Sequence, residues 1–103
     1  MCFSWNHATQ QVLVRSLERA IRRVEGFDVD VYWPDWTNVR GDYRDAMRYE
    51  RVKASPNNWT VDDWIRKRFK KFNPQFEVRV KDGNGDIVRN NTRLRTVRDT
   101  YPE

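Results

Sequence analysis

A chain of 103 residues can build one hydrophobic core but not two. Charged residues at 34% lean toward disorder, yet 14% aromatics, with five Trp and five Phe, supply enough apolar area to expect a folded domain. Lys and Arg number 20 against 15 Asp and Glu, so the net charge is +5, which favours acidic partners such as nucleic acid; no apolar run approaches the roughly 18 residues of a membrane span, so no membrane partner is expected.

Residues 1–7 offer Phe3 and Trp5 to a core and lack the charged and apolar regions of a secretory signal. Together with a single cysteine, which excludes an internal disulfide, this gives the expectation of a cytoplasmic protein. Cys2 would become N-terminal after methionine removal, and such a thiol can act as a nucleophile. His7 is the only imidazole, and no phosphate loop or nucleophile elbow accompanies it. Catalysis is not expected.

Residues 8–25 repeat apolar side chains at the helical period through Leu13, Leu17, Ala20, Ile21 and Val24, and Gly26 is placed to end the helix. Arg15, Arg19 and Arg22 align on the opposite face, with Arg23 beside them. A guanidinium fork suits phosphate oxygens, so the row reads as a phosphate-tracking stripe. The competing expectation is a solvated helix face, partly neutralised by Glu18.

Strict alternation over residues 27–33 predicts a strand with Phe27, Val29, Val31 and Trp33 facing the core. Asp28 and Asp30 then share the other face, about 7 Å apart, a spacing that can hold a divalent metal in a nuclease. Such a site also wants an acid-x-lysine pair after Pro34-Asp35, and Glu77-Val78-Arg79 offers arginine instead. Neither a metal nor a cofactor is expected. Residues 33–41 read as a loop, and Trp36 lies outside the strand alternation. It can be a base-stacking platform, a protein anchor, or a lid over a core edge.

Asp42 can cap a helix running to Ala54, although Tyr49 and Val52 fit its apolar side poorly and an extended latter half stays open. The next helix is stated more plainly. Thr60 is a good N-cap, Asp63 completes a capping box, and Pro74 marks the stop. Val61, Trp64, Ile65, Phe69 and Phe72 form its apolar arc; Arg66, Lys67 and Lys70 point away, and Lys71 flanks it. Arg68 falls inside the arc, so it must stack on an aromatic or find an acid.

Residues 76–81 alternate again, 82–86 turn the chain, and 87–89 return as the second strand of a hairpin. Asp82, Asn84 and Asp86 have calcium-loop spacing, but Ile87 and Arg93 stand where such a loop needs glycine and glutamate. Leu94, Val97 and Tyr101 then suggest a short terminal helix after Thr92, with an extended tail as the alternative its Thr and Val content leaves open.

The sum is one α+β domain over residues 1–103, with a small, mainly antiparallel three-stranded sheet and amphipathic helices packed on one face. The free sheet face would carry Asp28, Asp30, Glu77, Arg79 and Lys81. The functional expectation is a small basic intracellular nucleic-acid-binding protein, for DNA or RNA, without catalytic activity. Arg15, Arg19, Arg22, Arg66, Lys67, Lys70 and Lys71 would meet phosphates, and Trp36 a base. The alternative is a protein-interaction module, a small regulator or inhibitor docking on a larger partner. A metal-dependent nuclease built on Asp28 and Asp30 is a more distant third.

Overall fold

The apolar stripe of Val14, Leu17 and Ile21 is buried and drives helix α1, Val14–Glu25, against the core. The computed structural model describes residues 11–50 and 53–102, so Cys2, His7, the expected helix start at Ala8, and Val52 lie outside the described residues. The helix begins later than its periodicity implies because Gln11–Val12 form a short strand, β1. Two of its free first-turn amides find loop carbonyls: Val14 N–H donates to Tyr43 O and Arg15 N–H to Gly41 O, each at 2.9 Å. At the other end Gly26 adopts φ 84°, as expected, and returns its N–H to Arg22 O.

Strand β2, Asp28–Tyr32, pairs antiparallel with β4, Glu77–Lys81. The register sets Val29 against Val80 and Val31 against Val78 on the core face. The other face carries Asp28 opposite Lys81, Asp30 opposite Arg79, and Tyr32 opposite Glu77. Tyr101 pins one end of this ribbon: its hydroxyl accepts from Asp28 N–H at 2.8 Å and donates to Lys81 O.

The expected three-stranded sheet is corrected to two antiparallel two-stranded sheets, β2–β4 and β1–β3, where β3 is Ala46–Met47. Beyond the 82–86 turn the chain keeps one bridge, Lys81 with Ile87, and one bond from Val88 N–H to Val80 O. It is then drawn away, because Asn90 O and Thr92 O accept the first-turn amides of the helix that begins at Val61, from Asp62 and Val61.

The helix expected over residues 42–54 is also corrected. β3 extends because the buried Asn73 side chain satisfies its backbone on both sides, accepting from Met47 N–H at 2.7 Å and donating to Met47 O at 3.1 Å. Tyr49 follows into the core.

Helix α2 runs through Val61–Trp64, widens into a π-helical stretch at Ile65–Phe69, and closes with Lys70–Phe72. Both capping-box bonds form: Asp63 N–H to Thr60 Oγ1 at 3.2 Å, and Thr60 N–H to Asp63 Oδ2 at 3.1 Å. Val61, Trp64, Ile65 and Phe69 are buried, with Trp64 edge-on to Phe27 at 5.1 Å. Helix α3, Leu94–Asp99, adds Leu94 and Val97 to the same core. The result is a small α+β fold of four strands and three helices among the described residues. None of these helices is long and apolar enough to cross a membrane.

Candidate nucleic-acid interface

Helix α1 lies along the edge of β2, tied there by Val31 N–H donating to Glu18 Oε2 at 3.3 Å. The helical period then sets Arg15, Arg19 and Arg22 beside the ribbon's polar face. With Glu18, Asp28, Asp30 and Lys81 they wall a groove of about 350 Å³. The cations in it are not equivalent. Arg22 Nε sits 3.7 Å from Asp28, and its guanidinium stacks over Tyr101 at 4.5 Å. Lys81 Nζ is 3.2 Å from Asp30. Arg15 and Arg19 are exposed, and their side chains make neither ion pair nor hydrogen bond with any described residue. Glu18 is half-buried, and burial pushes its carboxyl above the usual glutamate value. Asp30 and Asp28 add to the rise, while the Val31 N–H and Lys81 oppose it.

The groove continues into an aromatic platform. After β2 the chain turns tightly: Trp33 N–H bonds Thr37 O and Trp36 N–H bonds Trp33 O, each at 2.8 Å. Asp35 Oδ1 clamps the turn by accepting from Thr37 N–H and Thr37 Oγ1. These bonds hold the Asp35 carboxyl below its ordinary value. Trp36 is left at φ 67° and 46% exposed. The Arg79 guanidinium lies 4.3 Å from the Trp36 ring centroid, and the Tyr32 ring is tilted against it at 5.6 Å. Arg79 stands directly opposite Asp30 in the ribbon, so platform and groove share one surface. A second recess, lined by Trp33, Tyr43, Arg40, Asp42 and Arg44, borders the loop that receives the first α1 amides.

The basic residues of α2 are placed differently. Arg66 bonds Asp62 at 2.9 Å and Asp63 at 2.8 Å. Lys67 lies over the Trp59 ring at 4.8 Å, and Lys70 is held by Glu77 at 3.0 Å and Phe76 O at 2.6 Å. Lys71 alone of the four has no partner among the described residues. α2 packs its apolar arc into the core, and none of its cations lines the groove. The expected basic residues therefore divide. Arg15, Arg19 and Arg22 line the groove and Trp36 stands against Arg79 beside it; Arg66, Lys67 and Lys71 do not line it, and Lys70 reaches the ribbon at Glu77.

Arg79, Tyr32 and Lys81 join the groove and its platform without having been expected as site residues. Alternation placed Arg79 and Lys81 on a free sheet face, but only the β2–β4 register shows which acids and rings they meet. Asp28 and Asp30 face Arg22 and Lys81, and no group of three His, Cys, Asp or Glu among the described residues gathers to hold a metal. Asp82 Oδ1 accepts from Asn84 N–H and Asp86 N–H, which makes the 82–86 segment a side-chain-tied turn. No protein-family model, no curated protein and no solved structure matches this chain.

Proposed function

We propose that the chain is an intracellular nucleic-acid-binding protein without catalytic activity, and that it takes the phosphate backbone along the outer flank of α1. One observation carries this. Arg15 and Arg19, a helical turn apart, stand exposed beside the groove with their guanidinium donors unpaired among the described residues. Most cations elsewhere on the α2 exterior already have partners, and a cation held by its own acid gains less from a phosphate.

Each phosphate contact releases counterions, so affinity should fall with salt, by a slope of about −0.9 per contact on duplex and about −0.7 on single strands. The test is titration of labelled oligonucleotides at about 50 and 200 mM salt. Reversing charge at Arg15 and Arg19 together should weaken binding by about tenfold or more and flatten the salt slope by roughly two contacts. The same reversal at Lys67 and Lys71 should change affinity little. Absence of binding, or a larger effect from the α2 pair, contradicts the proposal.

The protein-interaction alternative is favoured by a different observation: Glu18, Asp28 and Asp30 interleave with the arginines, a mixed pattern that suits a protein surface. It predicts that Trp36→Ala weakens capture of a protein partner while charge reversal on α1 has little effect.

A further inference from the structure

Trp36 occupies a backbone position that its side chain does not favour. The turn over residues 33–37 ends in a left-handed residue, where glycine or asparagine is the easy choice, yet a tryptophan sits there at φ 67°. Burial does not explain the choice, because 46% of the residue remains exposed. The indole is nonetheless held still. The Arg79 guanidinium lies over the ring at 4.3 Å and Tyr32 is tilted against it at 5.6 Å. The Arg79 side chain in turn forms no hydrogen bond or ion pair with any described residue, so its guanidinium donors stay available at the platform's edge. A fixed flat ring and a rigid cationic fork lie side by side, a residue or two along the ribbon from the Arg15–Arg19 groove.

A flat π-face next to an anion is the chemistry of an unpaired nucleotide. In a duplex the base faces are covered by their neighbours, so a stacking platform has nothing to receive there. Resting on the phosphate-binding reading above, we infer that the ligand is single-stranded nucleic acid. One unpaired base stacks on the exposed part of the Trp36 ring, its phosphate meets Arg79, and the following backbone runs past Arg15 and Arg19.

The test compares a short oligothymidine, a short oligouridine and a mixed-sequence duplex, each end-labelled and titrated with wild type, Trp36→Gly and Trp36→Phe. Glycine suits the positive φ, so Trp36→Gly should keep the thermal midpoint at or above that of wild type. Wild type should bind the single strands about tenfold more tightly than the duplex. Trp36→Gly should lose about tenfold on single strands and nothing on duplex, and Trp36→Phe should recover most of that loss. Equal affinity for single strands and duplex, or full single-strand affinity in Trp36→Gly, overturns base stacking and leaves the phosphate contacts standing. No binding to any of the three probes overturns both.

Discussion

Both oxygens of Glu25, a carboxylate with no exposed side-chain surface, are engaged from four directions. Oε1 accepts from Ser55 N–H at 2.8 Å and Arg98 Nη2 at 3.0 Å; Oε2 accepts from Arg68 Nη1 at 2.7 Å and the Tyr49 hydroxyl. Trp64 Nε1 donates to that same hydroxyl at 2.9 Å. Burial and the neighbouring Glu25 hold the Tyr49 phenol well above its ordinary value. One side chain thus ties α1, α2, α3, Tyr49 and Ser55 together. Glu25→Gln should cost about 3–5 kcal/mol in urea unfolding, because Arg68 and Arg98 would keep buried charge without its counterion. A loss under about 1 kcal/mol would show that the hub adds nothing beyond packing. Part of this was legible: Arg68 sits inside the apolar arc of α2, and an acid or a ring had to meet it. Which acid was not legible, since Glu25 lies 43 residues earlier. Glu18 gives the residue-scale prediction for pH. Its raised pKa means the folded chain favours the protonated carboxyl, so its contribution to stability is full below the unfolded value and lost as pH rises through the folded one. The groups facing it are Arg15, Arg19, Arg22 and Lys81 against Asp28 and Asp30. Binding of a phosphate backbone should therefore tighten as pH drops toward the upper carboxylate range. Glu18→Gln should bind more tightly at neutral pH, by a few-fold, and flatten that dependence.

At the scale of elements, local chemistry was readable and distant chemistry was not. The capping box of α2 needs only Thr60 and Asp63, and the stop of α1 needs only Gly26, so both followed from neighbouring residues. The 42–54 segment carried helical spacing, but the backbone partners of Ala46 and Met47 are Gln11–Val12 and the Asn73 side chain, which no local pattern reveals. The third strand failed similarly, because Asn90 and Thr92 serve the α2 N-terminus. The β2–β4 ribbon depends on Tyr101 in the same long-range way. Tyr101→Phe would strip Asp28 N–H and Lys81 O of their shared partner and should cost about 1–3 kcal/mol in urea unfolding. It should also raise hydrogen exchange at the Asp28 amide selectively. Unchanged protection at Asp28 would contradict a pinning role. The adjoining turn is held as closely, since a Cβ on Gly83 would lie 2.0 Å from Thr100 O.

Across the whole molecule, a net charge of +5 says less than where the unpaired cations stand. The α1 row was legible because the helical period fixes a face. The internal pairing on α2 was half legible: Asp62 and Asp63 stand four and three residues before Arg66, at spacings that favour ion pairs. That the groove collects α1 cations and none from α2 depends on how both pack with one ribbon, and that is a property of the assembled core alone. The account thus rests on one surface, the α1 flank joined to the polar face of β2–β4 and ending at Trp36. The most direct test maps backbone amide and arginine side-chain chemical shifts while a short oligothymidine is added to the intact chain. Shifts should concentrate on Arg15, Arg19, Trp36 and Arg79 and leave Arg66 and Lys67 still. Shifts gathered on the α2 exterior, or none at all with the oligonucleotide in excess, would contradict it.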